Sequence, residues 1–385
     1  MNIGGGLMLK KFTVTNYKNF VHPIQLDLGS IGKYQYNKEL IKEDLLSKLI
    51  IYGKNGTGKT NFGKALSDIK NLIFSDFPNS NDYEIVYCAN DEQKTIQFDY
   101  EFKIDNNEIH YFYEKDRDDN LLYESLSVDS KKIFDVSFEK KGVDLLDLKR
   151  IGIETYNIEQ YKRYLEEDSE TEKMPFLRWI FNNTIYLDRS LAQKLWNEIK
   201  GIEYLSIANT VLPYPSFIKR NAKKLKSGIV SDLQKFLSYM GLDYKLKVIE
   251  SADGNEQIYF DYKTPLLFYE NASSGTKALV EFYSRIYPVL NNTTILFLDE
   301  FDVFFHFKLA ENFIKYLIQE YPDVQVIFTS HNTDLMTNRF MRPDALLILS
   351  TKGKLVPLYK ATNRELREGH NLEKMYHSGE FSLNE

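Results

Sequence analysis

Gly53-Lys54-Asn55-Gly56-Thr57-Gly58-Lys59-Thr60 fills every fixed position of the pattern G-x-x-x-x-G-K-[ST]. That spacing makes a phosphate cradle: the glycines let the backbone turn tightly and aim its N–H groups inward. Lys59 is placed to reach the β- and γ-phosphates of a nucleotide, and Thr60 to put its hydroxyl on Mg²⁺. Asn61 opens the helix whose positive end adds to the cradle. Far along the chain, Ile295-Leu296-Phe297-Leu298 runs into Asp299-Glu300. An apolar strand ending in two acids is the Walker B pattern, with Asp299 for Mg²⁺ and Glu300 as general base toward water. His331 follows the next apolar strand, where a γ-phosphate sensor belongs. Ser273-Ser274-Gly275 precedes an apolar helix; alone it reads as a helix cap, but ahead of Asp299-Glu300 it reads also as a phosphate-approaching segment.

These residues need particular elements to hold them. Leu49-Ile50-Ile51-Tyr52 is a short apolar run, a buried strand entering the loop, and Asn61–Ile69 has helical spacing. Upstream, residues 9–15 alternate like a strand, and a second strand is expected near 24–28. Two strands before the glycine loop exclude a Rossmann opening, which carries its loop after the first strand. From 84 to 137 the period is close to 2, with a hairpin at Asp105-Asn106-Asn107, so an antiparallel β region follows the loop helix. Gln97 within it is the nearest Q-loop glutamine and reads as a strand residue. From 144 to 240 charged and apolar residues mix at helical spacing. Glu166-Glu167-Asp168-Ser169-Glu170 reads as a solvated acidic loop, and Lys219–Lys226 as a solvated basic face or a phosphate-backbone contact. A hairpin is expected around Asp253-Gly254-Asn255. The expected division is 1–143, the N-terminal half of the head; 144–243, a helical insertion; and 244–385, the half carrying the serine segment, the acids and His331.

At 385 residues, 43% hydrophobic and 27% charged, the composition is that of a soluble globular chain. No apolar run nears the roughly 18 residues needed to span a bilayer. Met1-Asn2-Ile3-Gly4-Gly5-Gly6 offers no cleavable apolar core, so a cytoplasmic location without membrane contact is expected. The one cysteine, Cys88, excludes an intrachain disulfide and a cysteine zinc site. A net charge of −6 does not indicate a nucleic-acid partner, though a local basic patch stays open.

Taken in this order, the motifs resemble the ATP-binding-cassette ATPases of the SMC, RecF and OLD kind. Asp299-Glu300-Phe301-Asp302, His306, Thr329–Leu335 and Arg342-Pro343-Asp344 look closer still to the AAA15 group of bacterial defence ATPases, as do Arg364–Arg367 and Asn371–Tyr376. That group includes RloA-like, AbiLi-like and PARIS AriA-like proteins. The resemblance covers about 9–75 and 265–380. It implies an α/β cassette head, with a mixed-sheet phosphate-loop core, an antiparallel β subdomain and a helical insertion. It implies ATP and Mg²⁺ as ligands, and hydrolysis with Lys59, Glu300 and His331 in catalytic roles. Heads would pair with ATP sandwiched between them, Ser273-Ser274-Gly275 reaching the partner's nucleotide, as a homodimer or higher homo-oligomer. A separately encoded effector is implied as partner of an abortive-infection sensor. The alternatives are a RecF- or SMC-like DNA-repair ATPase and a nucleotide-gated scaffold with little turnover. The signature departs from the transporter form L-S-G-G-Q.

Overall fold

The computed structural model of the chain describes residues 7–75, 86–88, 95–145, 147–167, 173–207, 227–250, 256–303 and 305–381. The basic run at 219–226 and the turn at 253–255 lie outside these residues, as does part of the acidic run at 166–170. The chain forms two units. The first is Met1–Ser206 with Thr293–Phe301 and Asp323–Glu385; the second is Ile207–Asn292 with Asp302–Pro322.

In the first unit the chain passes through β1 (Leu7–Thr15), β2 (Ile24–Asp27), β3 (Lys48–Tyr52) and α1 (Lys59–Phe74). Four strands with their own turns follow: β4 (Ile96–Ile104), β5 (Asn107–Lys115), β6 (Leu121–Val128) and β7 (Lys131–Ser137), then the short β8 (Gly142–Leu145). Their period-2 patterns give one fully antiparallel sheet of order β8-β7-β6-β5-β4-β1-β2. The antiparallel region after the loop helix is thus completed by the two strands that precede the loop. Helices α2 (Ile158–Glu166), α3 (Phe176–Asn183) and α4 (Leu191–Lys200) come next, then β9 (Ile202–Ser206).

The second unit holds α5 (Ser227–Tyr239), a small antiparallel sheet of β10 (Leu246–Glu250), β11 (Glu256–Phe260) and β12 (Leu266–Leu267), and α6 (Ser274–Leu290). The chain returns to the first unit for β13 (Ile295–Asp299), to the second for α7 (Phe307–Glu320), and to the first for β14 (Gln325–Ser330), β15 (Leu346–Leu349), β16 (Leu355–Pro357) and α8 (Leu372–His377). The helices of the second unit meet through rings: Phe236 lies 4.8 Å from Tyr283 and 5.3 Å from Tyr316, and Phe282 4.8 Å from Phe313.

The sheet that matters for chemistry has the order β9-β13-β14-β3-β15-β16. All its strands are parallel except β16. β3, β13 and β14 are buried along their whole length, which explains their continuous apolar runs. The fold class is therefore α/β, with a mixed sheet behind the glycine loop and a separate antiparallel sheet. The compact units do not part at 143/144 or 243/244. Residues 144–206 stay with the first unit because β9 pairs in parallel with β13, so a stretch read as a helical insertion supplies an edge strand of the central sheet.

Helix α1 packs against both sheets. Phe62 meets Phe12 of β1 at 5.5 Å and Phe297 of β13 at 6.5 Å, and the Tyr100 hydroxyl of β4 donates to the Ala65 carbonyl at 3.0 Å. Gly63 permits the close approach to β13: a Cβ there would fall 2.4 Å from the Phe297 ring. Gln325 ties the sheets together, since its amide donates to the Leu9 and Leu46 carbonyls and its oxygen accepts from the Leu9 N–H. Arg342, fully buried, pairs with Asp344 and donates to the Gly32, Tyr34 and Tyr36 carbonyls, pinning residues 32–36 beside β15.

Candidate functional site

The glycine loop leaves the carboxyl end of β3 and ends at the start of α1. Its tip, Lys54-Asn55-Gly56, is exposed, whereas Gly53, Thr57 and Lys59 are buried. Gly56 and Gly58 both have positive φ, 79° and 101°. At Gly58 a side chain would also collide with Asn19 and Phe20, 2.5 and 2.7 Å from a Cβ. The loop is braced internally by the Thr57 hydroxyl on the Lys54 carbonyl, 2.9 Å.

Lys59 folds back over the loop, donating to the Gly53 carbonyl at 2.8 Å. Burial lowers its pKa, with Glu300 and Asp299 acting in the opposite direction. Its ammonium also lies 3.5 Å from His331 Nδ1. The lysine ammonium can only donate, so Nδ1 accepts in this contact and Nε2 is left for another partner. That Nε2 faces Glu300 Oε1 at 3.5 Å. The end of β3 and the end of β14 are neighbours, Ser330 pairing with Tyr52, which is why residues 272 positions apart meet.

Asp299 ends β13 and is 1% exposed. Three hydroxyls converge on its carboxylate. Thr60 donates to Oδ2 at 2.7 Å, Tyr204 to Oδ2 at 3.0 Å, and Thr329 to Oδ1 at 2.7 Å. The Thr329 hydroxyl in turn accepts the Glu300 N–H at 2.8 Å. Glu300 has φ 51°, the left-handed region that a glutamate rarely occupies.

A divalent ion fits this donor set. Thr60 and Asp299 offer adjacent hard oxygens, the ligands Mg²⁺ prefers. Among the described residues no group of three His, Cys, Asp or Glu could hold a metal alone, so its other ligands would come from phosphate and water. A phosphate chain fits the loop for the same kind of reason: two glycines hold left-handed backbone, and a buried lysine folds back onto the Gly53 carbonyl.

Of the residues expected to act, Lys59, Thr60, Asp299, Glu300 and His331 meet in the first unit. Ser273, Ser274 and Gly275 belong to the second unit. There Ser273 is the N-cap of α6: its hydroxyl accepts the Thr276 N–H at 3.1 Å and lies 2.9 Å from the Thr276 hydroxyl. A Cβ on Gly275 would meet only the Ser273 hydroxyl, at 3.9 Å. Gln97 pairs with Thr15 and Glu114 in the middle of the antiparallel sheet, a strand residue.

Residues 49–337, from β3 past His331, match the family described as "AAA domain, putative AbiEii toxin, Type IV TA system". The chain belongs to this AAA family. No curated protein matches the sequence. Two solved structures align over most of their length with this AAA chain. One is the SMC head domain from Thermotoga maritima, at 15% identity and a TM-score of 0.46, covering 91% of this chain and 98% of that one. The other is an SMC head bound to the C-terminal winged-helix domain of ScpA, at 13% identity and a TM-score of 0.43, covering 88% and 93%. No helix among the described residues of the AAA chain is long and apolar enough to cross a membrane.

Three side chains at the AAA site are given no role by the motifs, although Thr329 opens the Thr329–Leu335 stretch. Asn19, in the turn between β1 and β2, donates to the Thr57 carbonyl at 3.0 Å and accepts from Asn61 at 2.7 Å. Tyr204 and Thr329 hold Asp299. The signal for Tyr204 was present: Gly201 after a helix, then Ile202-Glu203-Tyr204-Leu205-Ser206, is a strand-like run. Nothing local marks Asn19.

Proposed function

We propose that this chain binds and hydrolyses ATP with Mg²⁺. One observation carries the reading. Lys59, Thr60, Asp299, Glu300 and His331 come from three stretches of sequence and converge around one loop. Lys59 supplies positive charge to the β- and γ-phosphates, and the N–H groups of Gly53–Asn61 cradle them. Thr60 and Asp299 hold Mg²⁺, which neutralises phosphate charge when bound. Glu300 accepts a proton from the attacking water, and His331, with its Nε2 toward Glu300, senses the γ-phosphate end. The Ser273-Ser274-Gly275 segment acts in trans, on the ATP of a second copy, so the working form is a homodimer or a higher assembly of heads.

The finer role we assign is the sensor or regulatory ATPase of a bacterial anti-phage system of the AAA15 type, acting on a separately encoded effector. The family's description, "putative AbiEii toxin, Type IV TA system", supports that placing. The test takes two variants. Lys59→Ala is expected to lose ATP binding by calorimetry. Glu300→Gln keeps size and metal ligands but not the base; it is expected to bind ATP and to hydrolyse it about 10²–10⁴ times more slowly. Unchanged affinity in the first, or unchanged turnover in the second, removes that residue's assignment.

A further inference from the structure

The motifs name the two acids at the end of β13 but not what orients them. Both are addressed by one side chain from the neighbouring strand. Thr329 of β14 is fully buried, and its hydroxyl donates to Asp299 Oδ1 at 2.7 Å while accepting the Glu300 N–H at 2.8 Å. A threonine hydroxyl has a single hydrogen to give, and here it goes to the first acid; a lone pair takes the backbone of the second.

Each contact has a consequence. On Asp299, Oδ2 is shared by Thr60 and Tyr204, so Oδ1 is the oxygen by which the far side of the carboxylate is anchored. Releasing it frees the carboxylate to rotate about its terminal torsion. On Glu300, the tethered N–H belongs to a residue with φ 51°, a conformation held only where surroundings impose it. That turn brings the Glu300 carboxylate to within 3.5 Å of His331 instead of continuing the strand. We propose that Thr329 is the positioning residue that sets both the metal-binding acid and the base, resting on the ATPase reading above. The strand itself does not need the hydroxyl: Thr329 pairs with Ile51 through the main chain, so valine suits the same backbone.

The test uses the full chain with Thr329→Val, Thr329→Ser and Thr329→Cys. ATP affinity is measured by calorimetry with Mg²⁺ and with EDTA, and hydrolysis by steady-state kinetics. In Thr329→Val, affinity in EDTA stays within about twofold of wild type, since the loop and Lys59 are untouched. The Mg²⁺-dependent tightening falls by about tenfold or more, the usual cost of removing an outer partner of a metal ligand. Turnover falls with it, in kcat more than in KM. Thr329→Ser keeps the hydroxyl and restores both. A wild-type Mg²⁺ response in Thr329→Val overturns the proposal, as does an equal loss in Thr329→Ser. If the valine variant does not fold, Thr329→Cys takes its place: sulfur is a weak donor and acceptor, so a wild-type Mg²⁺ response there is equally fatal. Failure of the wild-type chain to bind ATP at all would instead overturn the nucleotide reading.

Discussion

Glu198 offers the sharpest physical prediction. It lies near the end of α4, wholly buried, and neither carboxylate oxygen has a hydrogen-bond partner among the described residues. The nearby Thr294 hydroxyl donates instead to the Glu198 main-chain carbonyl, 2.8 Å. Burial pushes the carboxyl up from 4.5 to about 8, with the Thr294 hydroxyl acting less strongly in the opposite direction. The folded chain thus binds this proton more tightly than the unfolded chain. Its contribution is fully present below pH 4.5 and is lost as pH rises toward 8. From 4.5 to 7 is about 2.5 pH units, and at about 1.4 kcal/mol per unit the penalty at pH 7 is about 3.5 kcal/mol. Glu198→Gln keeps the shape and cannot ionise. Its stability advantage over wild type is expected to grow by about 2–3 kcal/mol between pH 5.5 and 7.5. Thermal unfolding followed by circular dichroism at the two pH values measures this, because α4 is tied to α1 through Trp196 and Phe74, 4.4 Å apart. Wild-type and variant stabilities that run parallel across that pH range would refute the reasoning: Glu198 would then keep a proton affinity like that of the unfolded chain.

Two further outcomes concern the site. Asn19→Ala removes the brace on the Thr57 carbonyl and the partner of Asn61; at about 1 kcal/mol for such hydrogen bonds, ATP affinity should weaken several-fold while the melting temperature barely moves, and calorimetry with a melting curve separates the two. For the trans arrangement, Gly275→Asp should leave single-head ATP binding intact but stop hydrolysis. An equal mixture with Lys59→Ala should regain activity through mixed dimers that hold one intact site, and no recovery from folded, associating variants returns Ser273 to a plain helix cap.

The sequence by itself located the glycine loop, because its glycines, lysine and threonine fall within eight consecutive residues and its left-handed turns at Gly56 and Gly58 are a matter of local backbone. It also determined the strands that carry this site. β3, β13 and β14 are buried on both faces, and that burial demands the apolar runs that make them legible. What lay beyond reach is pairing. Ile202–Ser206 is a short run inside a helical context, and only its parallel register with Ile295–Asp299 makes it a sheet edge that delivers the Tyr204 hydroxyl to Asp299. Asn19 and Thr57 are 38 positions apart, and Thr329 and Asp299 are 30 apart. Such contacts leave no local periodicity. Tertiary structure decided them, because a buried carboxylate must find donors wherever the fold brings them, and here they are hydroxyls from three different elements.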